Sequence, residues 1–176
     1  HPGIDRTAPS VFIPQRFPYN PGGIGFGPLT GYRQVNTSPD FHVWTYAYDV
    51  SGLASVNLKY RIDNDGWNPI ESIENDTYAG GAEVGAWQEL PMTRRAMAPD
   101  PTSDGELNFF ILPVEKADLC YAEIKGYNDV LIDYYVEATD SKGNVVRTPI
   151  QHVYVGVVAR TDPGDPDGEP ITVSFK

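Results

Sequence analysis

Trp67, Tyr78 and Trp87 bracket a stretch of the chain that also carries Glu71, Glu74, Asn75 and Asp76. Flat rings with polar rims can stack on the apolar face of a pyranose, while neighbouring amides and carboxylates hydrogen-bond its hydroxyls. Residues 71–85 are polar and show no sustained hydrophobic period, which predicts a long loop, and loops carry function on a rigid scaffold. Sugar contact through Trp67, Tyr78, Trp87, Glu74 and Asn75 is therefore the binding chemistry on offer. Trp67 and Trp87 also adjoin predicted strands, where a large amphipathic ring serves equally as edge packing. Tyr78, in mid-loop, is the cleaner candidate.

A second cluster, Asp63-Asn64-Asp65-Gly66, places three oxygen-bearing side chains before a glycine. Hard cations prefer oxygen ligands, which makes Asp63 and Asp65 candidate calcium ligands, although the remaining ligands of a full calcium loop are not visible and a plain hairpin turn explains the run as well. No other cofactor is expected. Asp49 and Asp140 each close a strand and are expected to accept hydrogen bonds from turn amides.

No catalytic residues are assigned. Glycoside hydrolysis needs two carboxylates held about 5–9 Å apart in a cleft, and no motif marks such a pair among the acidic residues. The sequence shows no Gly-x-Ser-x-Gly elbow, no His-Glu-x-x-His helix and no glycine-rich phosphate loop. His1 is terminal, and His42 and His152 fall in predicted strands without a visible partner, which reads as structural.

The elements that must position these residues are strands. Sixteen prolines, 17 glycines and 12% aromatics describe a turn-rich, β-rich chain in which tyrosine supplies much of the packing. The formal charge of −11 repels nucleic acid and anionic membranes, so neither is expected as a partner. No apolar run is long enough for membrane insertion, and the start of the sequence lacks the basic and apolar regions of a signal peptide. A single cysteine, Cys120, excludes an internal disulfide and is expected to be a buried thiol.

Alternation begins at Asp40, with Phe41, Val43, Thr45 and Ala47 on one face and His42, Trp44, Tyr46 and Tyr48 on the other. Those outer rings recur every second residue, about 6–7 Å apart, and form either a platform or a face buried beneath the arm that precedes them. Residues 55–62 send Val56, Leu58, Tyr60 and Ile62 inward and Asn57, Lys59 and Arg61 outward. Further strands are expected at 10–13, 87–92, 106–114 and 118–124, with a final hairpin of 130–139 and 145–155 and a loop over 94–105. With no amphipathic helix in view, this pattern predicts an all-β, two-sheet antiparallel sandwich.

Three regions follow. Residues 1–39 form an arm rich in proline and aromatic residues, expected to lie ordered with Phe12, Phe17, Tyr19 and Phe26 over the outer rings of 42–48. Residues 40–160 form the sandwich. Residues 161–176 comprise an acidic Pro/Gly linker and a C-terminal strand, Ile171-Thr-Val-Ser-Phe-Lys176, which suggests that a further module follows.

Asp49-Val-Ser-Gly-Leu-Ala-Ser-Val-Asn-Leu-Lys-Tyr-Arg61 resembles the signature of bacterial immunoglobulin-like and fibronectin-III-like modules, and Tyr134-Tyr-Val-Glu-Ala-Thr-Asp-Ser-Lys-Gly-Asn144 is similar to their penultimate strand and turn. The resemblance covers about residues 40–156. It implies an immunoglobulin-like sandwich and a place among neighbouring modules of a secreted or cell-surface protein, because such modules are strung along polysaccharide-degrading enzymes and surface proteins. The terminal strand resembles the opening strand of starch-binding modules. The expectation is a bacterial accessory module that is not itself an enzyme, within a protein such as a glycoside hydrolase. Its expected partner is a neutral polysaccharide, with a starch-like α-glucan ahead of β-glucan. An immunoglobulin-like spacer without sugar binding, or an adhesive protein-binding domain, fits the same signature.

Overall fold

The computed structural model describes residues 5–26, 34–64, 74–95 and 117–156, and every regular element in them is a β-strand. The strands expected at 106–114 and 171–176 lie outside the described residues.

Two antiparallel sheets carry the fold. In the first, β5 (Phe41–Tyr48) pairs on one side with β9 (Asp118–Ile124), which in turn pairs with β8 (Thr93–Arg95). On its other side β5 takes two short strands of the N-terminal segment, β1 (Ser10–Val11) and β2 (Gln15–Phe17). In the second, β6 (Leu53–Ile62) lies between β7 (Gln88–Pro91) and β10 (Val130–Asp140), and β10 takes β11 (Val145–Arg147) and β12 (Gln151–Val155) on its far side. A small hairpin, β3 (Ile24–Phe26) with β4 (Gln34–Asn36), stands apart.

Period-two alternation decides which side chains meet. Phe41, Val43 and Ala47 of β5 and Cys120, Ala122 and Ile124 of β9 share one core with Val56, Leu58 and Tyr60 of β6 and Ile132, Tyr134, Val136 and Ala138 of β10. Val43, Val56, Leu58, Tyr60, Val136 and Ala138, the inward positions expected from the sequence, are all buried. Burial pushes the Cys120 thiol up to about 11, so it stays a neutral apolar group.

Both outer lanes break at a proline. Pro14 separates β1 from β2 and Pro149 separates β11 from β12, since a residue without an N–H cannot continue a ladder. The breaks are stitched by side chains: Gln151 Nε2 donates to the Pro14 carbonyl at 2.9 Å, and the Tyr134 hydroxyl donates to Gln151 Oε1 at 2.7 Å.

Two turns close one end of the sheets. Asp49 Oδ1 accepts the Ser51 amide at 2.7 Å, and Asp140 Oδ1 accepts the amides of Lys142 and Asn144 at 2.8 Å each, the role expected of both aspartates. Gly52 and Gly143, with φ of 87° and 88°, occupy left-handed conformations that only glycine enters without strain.

Three expectations are corrected. Of the arm rings expected over the outer face of β5, Phe12 meets Tyr46 edge-on at 6.4 Å and Phe17 stands opposite His42, while the side chain of Phe26 lies outside the described residues; the segment does not seal that face. Its backbone amides and carbonyls pair with the free edge of that strand instead, leaving Phe12, Phe17 and Tyr19 about two-thirds exposed. Arg94 and Arg95, expected to open a loop, belong to β8, which pairs with β9. Arg61 does face outward from β6, yet it is 1% exposed, because the segment after residue 74 folds over it.

Candidate functional site

The outer face of the second sheet is built around a row of three directly opposed residues. Asp133 of β10 stands opposite Arg61 of β6 on one side and His152 of β12 on the other. Arg61 Nε donates to Asp133 Oδ2 at 2.9 Å, and His152 Nδ1 faces Asp133 Oδ1 at 2.8 Å. Asp133 is 0% exposed, so its charge is tolerable only with a full set of partners. Residues 74–87 supply the rest. Asn75 Nδ2 donates to Asp63 Oδ2 at 2.6 Å and lies 3.2 Å from Asp133 Oδ2, while Arg61 Nη2 donates to the carbonyls of Glu74 and Asn75 at 2.6 and 3.1 Å.

Rings complete the cover. The Arg61 guanidinium stacks on Trp87 at 4.2 Å from the ring centroid, a cation–π contact in a desolvated setting. Tyr135 meets Trp87 and Tyr78 edge-on at 4.8 and 4.9 Å. The Trp87 indole N–H donates to the Tyr78 carbonyl at 2.8 Å, and the Tyr78 hydroxyl donates to the Thr148 carbonyl at 2.9 Å. Gly80 is required here: with φ of 68°, it lies so close that a Cβ would stand 2.6 Å from Arg61 Nη1.

His152 turns its other nitrogen, Nε2, toward Asp76 Oδ1 at 3.1 Å. With a carboxylate at each nitrogen the imidazole is held as a double donor, and its pKa is raised above the ordinary 6.5, chiefly by the Asp133 hydrogen bond. That arrangement favours the charged imidazole rather than activating a hydroxyl. The sequence does not betray the partnership, because Asp133 and His152 meet only through strand register.

Of the residues singled out for sugar contact, Glu74, Asn75, Tyr78 and Trp87 are thus brought together, whereas Trp67 lies outside the described residues. Asn75 is 2% exposed and turns its amide inward; Glu74 accepts the Glu83 amide at 3.0 Å; Trp87 is half-buried; Tyr78 remains partly exposed. Asp65 also lies outside the described residues. Asp63, the other candidate calcium ligand, is buried, pairs through its backbone with Val84 and receives the Asn75 amide, so it belongs to the cover.

The outer face of the first sheet is different. His42, Trp44 and Tyr46 of β5 lie beside Leu119 and Tyr121 of β9, with Trp44 directly opposite Tyr121 and Tyr46 opposite Leu119. From the other flank Phe17 stands opposite His42 and Gln15 opposite Trp44. Phe17, His42, Trp44, Tyr46, Leu119 and Tyr121 line a shallow concavity of about 400 Å³. Trp44 and Tyr46 meet edge-on at 6.0 Å, and Tyr46 and Tyr121 are each 37% exposed. Glu123, Thr93 and Arg95 rim this face by register. Flat apolar rings edged with hydroxyl, imidazole, amide and carboxylate groups suit the alternately apolar and hydroxylated surface of a sugar chain.

The chain is 34% identical, over 170 aligned residues, to an alpha-amylase from Niallia circulans. The match covers 86% of this chain and 13% of that protein. No family model matches the chain, and no solved structure matches it at a significant level. An all-β unit of two antiparallel sheets therefore corresponds to a small part of an amylase.

Proposed function

We propose that the chain is a non-catalytic accessory module of an extracellular amylolytic protein and that it holds α-glucan chains on the outer aromatic face of its first sheet. The observation that carries this reading is the open concavity formed by Phe17, His42, Trp44, Tyr46, Leu119 and Tyr121. A contiguous apolar face left bare among the described residues calls for an occupant. The similarity to a small part of an alpha-amylase supports a starch-like polymer as that occupant. A neutral polymer also suits a chain of net charge −11, which disfavours polyanions.

In this reading Trp87, Asn75 and Glu74 are framework residues that seal the second sheet. Tyr78, as exposed as Tyr46 and Tyr121, offers a secondary contact on the opposite face. Electrophoresis through gels containing amylopectin, glycogen, xylan or β-glucan tests the proposal. Retarded migration is expected with amylopectin and glycogen, and Trp44→Ala should weaken binding roughly fivefold or more, since one stacked ring contributes about 1 kcal/mol. Unretarded migration in every gel, with no heat on titration with malto-oligosaccharides, would leave a spacer between modules as the better reading.

A further inference from the structure

The N-terminal segment and the two turns at one end of the sheets meet in a cluster of carboxylates. One carboxylate oxygen from each of Asp5, Asp49 and Asp140 lies within 4.8 Å of the other two. Asp140 is 1% exposed. Among the described residues, no lysine, arginine or histidine forms an ion pair with any of the three.

A second observation is independent of that clustering. Asp5 Oδ2 is shut off from solvent and has no hydrogen-bond partner, the sole buried side-chain oxygen or nitrogen in this condition among the described residues. Its neighbour Oδ1 accepts the Thr7 amide at 2.9 Å. The nearby Ser51 hydroxyl has one proton, and that proton goes to Asp49 Oδ1 at 2.7 Å. Burying a carboxylate oxygen without a donor is costly, and costlier beside two further carboxylates.

A cation resolves all of these features together. Oxygen ligands around calcium stand 2.3–2.6 Å from the ion, so carboxylate oxygens all within 4.8 Å of one another fit its shell, whereas magnesium dehydrates reluctantly and is seldom held by protein ligands alone. An all-carboxylate donor set also disfavours zinc, which takes nitrogen and sulfur. We propose that Asp5, Asp49 and Asp140 bind a calcium ion that ties the start of the N-terminal segment to the β5–β6 and β10–β11 turns. The sequence points instead to Asp63 and Asp65, because adjacency along the chain is visible there and this convergence is not. The inference stands apart from the glucan proposal, although the tether would steady β1 and β2, which flank the aromatic face.

The test uses the full 176-residue chain after stripping with a chelator. Titration calorimetry with calcium chloride should give one ion per chain, and the melting temperature should climb with calcium concentration as expected for a ligand that binds only the folded state. Magnesium chloride should bind at least about tenfold more weakly. Asp5→Asn should weaken calcium binding at least about tenfold while leaving the melting temperature in chelator unchanged or slightly higher, because it removes one of three like charges. Asp140→Asn should also abolish binding, but Asp140 organises its own turn, so Asp5→Asn is the decisive variant. No heat and no thermal shift up to about 10 mM calcium, well above the range of extracellular modules, would overturn the proposal. So would wild-type calcium affinity in Asp5→Asn, or equal affinity for magnesium.

Discussion

The two outer faces of this molecule invert the usual expectation. The face of the second sheet carries charge, with Arg61, Asp133, Lys59 and Glu137 set around Tyr135, and it is the one that is closed over. The face of the first sheet carries rings, and among the described residues it is the one left open. Hydrophobicity along each strand would assign them the other way round. What separates them is whether another segment supplies the matching partners. Residues 74–87 bring two carbonyls, an amide and an indole to a guanidinium that Asp133 already pairs, and a polar network is stable inside only when each member is satisfied. On the first sheet the N-terminal segment was available as a cover, but its backbone pairs with the edge of β5.

Breaking the closed face should have the largest effect. Arg61→Ala leaves Asp133 buried with much of its counter-charge gone and should cost about 3–5 kcal/mol in urea unfolding. Replacing both members, Arg61→Met with Asp133→Leu, should recover only part of that loss, since it removes the uncompensated charge but also takes a partner from the Glu74 and Asn75 carbonyls and from His152 Nδ1. A loss below about 1 kcal/mol for Arg61→Ala would mean that the cover does not depend on the pair.

Trp87→Ala should come next. It removes a ring that contacts both Arg61 and Tyr135, and for a half-buried tryptophan about 2 kcal/mol is expected, less than for full burial.

The pH dependence sharpens the same comparison. Because the folded pKa of His152 is raised above 6.5, its contribution is complete below pH 6.5 and is lost as pH rises through the folded value. Stability should therefore decline from near-neutral into weakly alkaline pH, with a slope for one proton of at most about 1.4 kcal/mol per pH unit. His152→Gln should flatten that decline.

The smallest stability effect should come from the open face. Tyr121→Ser should change unfolding free energy by no more than about 1 kcal/mol and yet reduce retardation in amylopectin gels. A destabilisation as large as that of Trp87→Ala would show that the aromatic face is packed against something rather than available to a ligand.

Much of this was legible beforehand. Strict alternation over residues 41–48 and 55–62 told which side chains of β5 and β6 enter the core, since a slip of one residue would turn every apolar group to the wrong face. Strand 118–124 and the turn aspartates Asp49 and Asp140 were equally readable, the latter because an Asp side chain reaches amides two residues ahead. Strands β2, β3 and β4 were not, because segments of three residues punctuated by proline and glycine carry no period.

Local order therefore determined the class of fold, the inward faces and the turn chemistry, all of which depend on residues one to five positions apart. The tertiary structure alone decided that Arg61 is buried while Tyr46 and Tyr121 are partly exposed, that Asp133 joins His152, and that Asp5 reaches Asp49 and Asp140. Alternation records that a side chain points away from the core. Whether it then meets water depends on segments tens of residues distant whose approach is set by the balance of desolvation against new hydrogen bonds, and no local pattern encodes that balance.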